Sequence, residues 1–135
     1  MKIILGICGS IAAYKAAHLT RLWVKKGAEV QVLMTRAAAS FIAPLTLSTL
    51  SKRHVFSDVS SETGWNNHVE LGLWADAIVI APAMAVPQSF YAAFAAYLAR
   101  EGFVAWTFDY RGMGASRNGS MRGAKGDLTD WYARD

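Results

Sequence analysis

The junction between an aliphatic run and an amphipathic segment near the N-terminus constrains the fold most. Residues Lys2–Ile7 form a continuous apolar run that leads into the turn Cys-Gly-Ser at positions 8–10. Such a run is typical of a strand buried on both faces of a parallel sheet. Apolar residues then recur every three or four positions from 11 to 26, and Gly27 follows, which predicts a helix with a glycine stop. The order strand, glycine turn, helix predicts the first unit of an α/β fold.

Strand and helix patterns continue to alternate along the chain. Strands are predicted at residues 30–34, 55–56, 77–81 and 103–108, and helices at 37–50, 68–74, 87–101 and 127–135. Right-handed crossovers then predict a three-layer α/β sandwich with a mostly parallel five-stranded sheet of order 3-2-1-4-5, Rossmann-like or flavodoxin-like. At 135 residues, we expect a single domain over 1–135.

Composition and charge exclude several classes of protein. With 53% hydrophobic and 18% charged residues, the chain has enough apolar material for a core. The net charge of +4 is scattered and no basic helix accompanies it, which argues against a nucleic-acid partner. No stretch is long enough to span a membrane. Cys8 is the single cysteine and is interpreted as a core thiol, so no internal disulfide is expected and the predicted location is cytoplasmic.

The turn after the first strand is a candidate anion site. Backbone N–H groups at Gly9 and Ser10 would face a ligand at the N-terminus of the following helix. A plain strand-to-helix turn also favours Gly and Ser, so a phosphate site and a structural turn remain as alternatives.

The first part of the chain resembles the phosphopantothenoylcysteine decarboxylase group of flavoproteins. The resemblance rests on GICGSIAAYKAAHLTRLWVKKGAEVQVLMTRAAASFIAPLTLSTLS and on HVELGLWADAIVIAPA, and covers residues 1–83. It implies FMN as the cofactor and oxidative decarboxylation of a cysteinyl group, with His68 next to the flavin. The same family completes its flavin site with neighbouring subunits, which implies a homo-oligomer. The implied cofactor contacts are Gly9, Ser10 and Ile11 for the FMN phosphate and Thr35, Ala38 and Phe41 for the flavin nucleotide.

The chain departs from that family after its Ala-Pro-Ala. The family continues with a small residue and an Asn that contacts flavin and substrate, whereas this chain reads Met84, Ala85, Val86 and Pro87. The later substrate segment and the Cys-containing flap are also absent. Without the Asn, decarboxylation would lose part of its orientation and proton handling, so the catalytic role of His68 is expected to be vestigial.

The second part, residues 84–135, resembles a fragment of an α/β-hydrolase. The loop Asp-Tyr-Arg-Gly-Met-Gly-Ala-Ser at 109–116 carries this resemblance, and in that family the loop is structural. An esterase needs a Ser on a GxSxG turn and a later His. Neither follows here, so Ser116 is not expected to be a nucleophile.

Both resemblances meet at Ile-Ala-Pro-Ala, residues 80–83. The first hypothesis is therefore an engineered chimeric α/β scaffold without native catalytic activity, in which FMN binding is either retained or lost. A truncated natural fusion would look the same. The alternative is an FMN-dependent cysteine decarboxylase with residual activity.

Overall fold

The computed structural model describes residues 1–57, 60–61, 64–65, 68–83, 85–117 and 119. Its strands are β1 (Lys2–Ile7), β2 (Glu29–Met34), β3 (Ser60–Ser61), β4 (Gly64–Trp65), β5 (Ala77–Ala81) and β6 (Val104–Thr107). Its helices are α1 (Ala13–Lys25), α2 (Arg36–Ala39), α3 (Pro44–Ser51), α4 (His68–Trp74) and α5 (Ala92–Arg100). A 3₁₀ turn at Gln88–Tyr91 leads into α5, and another covers Gly114–Ser116.

The main sheet has four parallel strands in the order β2-β1-β5-β6. The prediction of five strands is therefore wrong, although the α/β class and the relative order of the four strands are confirmed. The predicted strand at 55–56 is reduced to one parallel bridge between Leu33 and Phe56. Phe56 receives a 2.7 Å hydrogen bond from Met34 and donates one to Val32. Only two apolar residues stand between helix α3 and a polar stretch, so the pairing does not extend.

Strand β1 lies at the centre of the core. Ile3, Ile4, Leu5 and Ile7 are all buried, so both alternating sets of its side chains are covered. Ile3 lies opposite Val30 of β2 on one side and Ala77 of β5 on the other. This two-sided burial is what the unbroken aliphatic run predicts.

Helix boundaries follow local chemistry. Helix α1 ends one residue before Lys26, and Gly27 takes φ = 84°, a left-handed conformation that glycine adopts at little cost. The predicted helix over 37–50 is two helices, α2 and α3, and Pro44 occupies the first turn of the second.

The described helices pack on both faces of the sheet. The chain runs outward from β1 to β2 and, in the opposite direction, from β5 to β6. Right-handed crossovers therefore put α1 and α5 on opposite faces. Helix α1 packs beside α3 on its face, and α5 packs against β6 on the other.

The predicted terminal helix at 127–135 lies outside the described residues. In the part of the chain that the structure describes, no helix has the length and apolar character needed to cross a lipid bilayer.

Candidate functional site

The carboxyl ends of β1 and β5 form the topological switch point of the sheet. These strands are neighbours, and the connections that leave them lead to opposite sides. The N–H of Cys8 donates to the carbonyl of Ala81 over 3.4 Å, which ties the two strand ends together. A crevice outside the strand ends at such a point is the usual ligand site of open α/β sheets.

Gly9 approaches the backbone of α2 closely. A Cβ built on Gly9 would lie 2.5 Å from Cβ of Ala37, 2.7 Å from its carbonyl carbon and 3.0 Å from the nitrogen of Ala38. Any larger residue would therefore push the turn and α2 apart. Glycine is required here because of this contact, whether or not a ligand binds.

Ser10 is an interior residue of the turn. It is 7% exposed, and its Oγ accepts a hydrogen bond from the N–H of Ala12 over 3.1 Å. Its carbonyl accepts from the N–H of Ala13, at the start of α1. Among the described residues, the N–H groups of Gly9, Ser10 and Ile11 donate no hydrogen bond. Three free donors at the N-terminus of a 13-residue helix suit an anion with several oxygens.

The second set of predicted cofactor contacts, Thr35, Ala38 and Phe41, begins where β2 ends, at the carboxyl edge of the sheet. The N–H of Thr35 donates to the carbonyl of Ile7 over 3.0 Å, so β2 ends beside the glycine turn. Thr35 caps α2, since its Oγ1 accepts from the N–H of Ala38 over 3.2 Å. Ala38 is fully buried against Gly9. Thr35 and Ala38 are therefore explained by helix capping and close packing alone.

Two predicted contacts are apolar side chains that project into solvent. Ile11 is 58% exposed and Phe41 is 53% exposed. Ile11 follows the glycine turn directly, and Phe41 follows α2, where its N–H donates to the carbonyl of Ala38. Neither side chain belongs to the core cluster, so both are open to solvent or to a bound molecule.

His68 is the first residue of α4. Helix α4 leads into β5, and the N–H of Asp76 donates to the carbonyl of Lys2, at the start of β1. The last turn of α4 is therefore at the amino edge of the sheet. The side chain of His68 is outside the described part of the structure.

The segment after β5 forms the wall where the resemblance to the decarboxylase group implies an Asn. Ala85 has φ = 65°, a strained conformation for a residue with a side chain, and the N–H of Val86 donates to the carbonyl of Ala83. The N–H of Ala83 donates to the hydroxyl of Tyr91 over 3.4 Å. Met84 lies outside the described residues. This wall is a tight turn that offers an aliphatic side chain at Val86.

The Asp109 carboxylate holds this turn to the loop after β6, a role that sequence reasoning missed. It accepts from the N–H of Gln88 over 2.7 Å, the side-chain amide of Gln88 over 3.1 Å and the N–H of Ala115 over 2.8 Å. Desolvation opposes ionisation, but these hydrogen bonds prevail and hold the pKa of Asp109 below its ordinary value. The Oγ of Ser116 donates to the carbonyl of Asp109, so the loop at 109–116 acts as a structural clamp.

A thiol and two phenols gather beside the glycine turn. Desolvation raises the pKa of Tyr91, and its hydrogen bond with Cys8 adds to the rise. Burial raises the pKa of Tyr110 to about 12, with repulsion from Cys8, Tyr14 and Tyr91 as smaller causes. Burial therefore disfavours the tyrosinate form of both phenols.

Comparisons with known proteins identify relatives of the first part of the chain. The model of the family described as Flavoprotein matches residues 1–86. A coenzyme A biosynthesis bifunctional protein CoaBC from Vibrio parahaemolyticus is 51% identical over 87 residues, which are 62% of this chain and 22% of that protein. A "Probable phosphopantothenoylcysteine decarboxylase" from Streptococcus mutans is 51% identical over 86 residues and is covered to 48% of its length. The chain thus spans between a fifth and a half of these relatives.

Solved structures with the same fold extend the likeness past residue 86. A PPC decarboxylase mutant complexed with pantothenoylaminoethenethiol superposes with a TM-score of 0.51 at 26% identity, over 72% of this chain and 53% of its own. MrsD from Bacillus sp. HIL-Y85/54728 superposes with a TM-score of 0.59 at 22% identity, over 84% of this chain and 86% of its own, and shows the shared fold. These findings give no support to the predicted α/β-hydrolase segment at 84–135 or to a chimeric, engineered origin.

Proposed function

Because this chain belongs to the flavoprotein family, we propose that it binds FMN at the carboxyl edge of β1 and acts as an FMN-dependent cysteine decarboxylase. The observation that carries the proposal is the glycine turn. Gly9 packs too closely on α2 for any side chain, and three backbone N–H groups are left without acceptors among the described residues.

The turn fits the phosphate of FMN by charge and by geometry. A phosphate dianion would accept hydrogen bonds from the N–H groups of Gly9, Ser10 and Ile11, and the N-terminus of α1 adds a favourable dipole. The Ser10 hydroxyl already accepts from Ala12, so its proton is available to a phosphate oxygen. The isoalloxazine ring would lie against the exposed side chains of Ile11 and Phe41.

The proposed substrate is a cysteine thiol with a free carboxylate, as in the relatives' named substrate. FMN, when bound, supplies a two-electron acceptor, so that the substrate loses carbon dioxide and becomes an enethiol. Among this chain's residues, His68, the first residue of α4, would position or accept a proton at the substrate. Tyr91, whose hydroxyl accepts a hydrogen bond from the N–H of Ala83, would offer a hydroxyl close to the end of β5.

A second candidate function is FMN binding without turnover. It is favoured by the wall at 85–87, where an aliphatic side chain and a strained alanine stand in place of a polar amide. Both candidates share the cofactor, so binding and turnover need separate tests.

FMN binding is tested by titrating the full chain with FMN and following flavin fluorescence. A Ser10→Asp variant should lose binding by at least about tenfold, because a buried carboxylate would repel the phosphate. Thr49→Asp on the exposed end of α3 is the matched control and should bind as the parent does. Equal binding by the Ser10 and Thr49 variants, or no binding by the parent, would remove the proposal.

Turnover is tested with the FMN-loaded chain and phosphopantothenoylcysteine, by measuring carbon dioxide and flavin reduction under anaerobic conditions. A His68→Gln variant should bind FMN normally and lose most of the reduction rate. Binding without any reduction in the parent supports the second candidate and rejects the decarboxylase.

A further inference from the structure

Tyr91 joins the two strand ends that border the glycine turn. Its hydroxyl accepts a hydrogen bond from the N–H of Ala83, which follows β5, over 3.4 Å. The same hydroxyl is hydrogen-bonded to the side chain of Cys8, which follows β1 and directly precedes Gly9. One phenol therefore contacts both strand ends, although it lies beyond the segment 1–86 that matches the flavoprotein family.

The direction of these two hydrogen bonds follows from the chemistry of the phenol. A neutral phenol has one proton to donate and can also accept. Because the N–H of Ala83 can only donate, the Tyr91 hydroxyl accepts there and keeps its proton for the sulfur of Cys8. Desolvation is the largest cause of the raised pKa of Tyr91, and the hydrogen bond with Cys8 adds to it, as expected for a phenol that donates its proton.

The other end of the same 3₁₀ turn is anchored independently. Gln88 is the first residue of this turn and Tyr91 is the last. The Asp109 carboxylate accepts from the backbone N–H and the side-chain amide of Gln88, over 2.7 and 3.1 Å. The Oε1 of Gln88 accepts from the hydroxyl of Thr107, in β6, over 3.2 Å. Because only two residues separate Gln88 from Tyr91, this anchor also limits where the Tyr91 ring can lie.

The position of Cys8 affects where the donors of the glycine turn point. Cys8 is bonded directly to Gly9, and its own N–H donates to the carbonyl of Ala81 over 3.4 Å, which is long for a backbone hydrogen bond. The side-chain contact with Tyr91 therefore supplies a second restraint at the start of the turn. Donors that are already held in place do not have to be ordered when a ligand binds, which favours affinity.

We propose that Tyr91 is a positioning residue of the cofactor site, which holds Cys8 and thereby the N–H groups of Gly9 and Ser10 where a phosphate would accept from them. This inference rests on the proposed FMN binding. The role does not require Tyr91 to touch FMN. It is separate from any contact of the Tyr91 hydroxyl with substrate, because it acts on FMN binding when no substrate is present.

FMN titration of the full chain tests this role. Tyr91→Phe keeps the ring and should weaken binding about fivefold, within the range of one net hydrogen bond, whereas Tyr97→Phe, at a 49% exposed position on α5, should bind as the parent does. Cys8→Ala should weaken binding similarly, and Cys8→Ser, which keeps an acceptor, should restore most of that loss. The double variant Cys8→Ala, Tyr91→Phe should bind no more weakly than Tyr91→Phe alone, whereas independent losses would multiply to about 25-fold.

A second readout on the FMN-free chain separates this contact from a general loss of packing. In ¹³C NMR of ring-labelled tyrosine, the Tyr91 signal is assigned by its absence from Tyr91→Phe. Cys8→Ala should lower the pH at which Tyr91 titrates, because the sulfur no longer accepts the phenol proton, and Tyr97→Phe should leave it unchanged.

Undiminished FMN binding by Tyr91→Phe, losses that multiply in the double variant, or an unmoved Tyr91 titration would overturn this proposal while leaving FMN binding itself intact. A parent chain that binds no FMN would overturn the proposed function and this role with it.

Discussion

Replacing Gly9 with alanine tests whether the close approach of the glycine turn to α2 supports both the fold and the cofactor site. The new Cβ would lie 2.5 Å from Cβ of Ala37 and 2.7 Å from its carbonyl carbon, well inside van der Waals contact. Overpacking of this kind costs about 1–3 kcal/mol. The φ angle of Gly9 lies outside the left-handed region, so alanine can adopt it. The lower entropy of the unfolded alanine chain then offsets about 0.4–1 kcal/mol of the overpacking cost. We expect a net loss of about 1–2 kcal/mol in the free energy of unfolding.

The assay is urea unfolding of the full chain followed by circular dichroism, together with FMN titration. The loss of stability should be accompanied by at least about tenfold weaker FMN binding, because the turn can relieve the overlap only by moving its N–H groups. Gly72→Ala is the matched control: its Cβ would meet Phe103 at an ordinary 3.9 Å, and alanine inside α4 should stabilise by about 0.5–1 kcal/mol. A Gly9 variant that is as stable as the parent and binds FMN equally would refute the reasoning.

Three further predictions concern caps and ionisable groups. Thr35→Ala should lower the free energy of unfolding by about 0.5–2 kcal/mol through loss of the α2 cap, while Thr35→Ser should restore it; equal losses in urea unfolding would exclude capping as the cause. Asp109 has a depressed pKa, so its stabilisation is present above the ordinary carboxyl pKa and is lost as pH falls through the folded value. Asp109→Asn should therefore flatten the acid limb of the stability profile, and an unchanged limb would contradict the clamp. Tyr110 has a pKa raised from 10.0 to about 12, so stability should be complete below pH 10 and fall by roughly 2–3 kcal/mol as pH rises through 12. Tyr110→Phe should remove that loss, and a tyrosinate absorbance step near pH 10 for all tyrosines would contradict the burial.

Local pattern predicted most elements because the signals were periodic and well bounded. The predicted strand at 77–81 and helix at 68–74 have the observed bounds of β5 and α4, and α1 differs from its prediction by two residues at the start and one at the end. The strand at 55–56 was wrong because pairing depends on how far two extended segments run together, which composition does not reveal. The resemblance to an α/β-hydrolase came from a loop whose polar and glycine residues serve a local clamp around Asp109.

The sequence by itself determined the α/β class, the position of the glycine turn and the family of residues 1–86. Buried strands need runs of apolar residues and tight turns need glycine, and both are visible in the order of the residues. Tertiary structure alone decided why Gly9 must be glycine, that Thr35 and Ala38 serve packing as well as any ligand, and that Asp109 ties two distant turns together. It also decided that Val104 and Trp106 of β6 are about half exposed. Each of these depends on contacts between segments far apart in the chain, and such contacts exist only once the sheet has brought the strand ends to one edge.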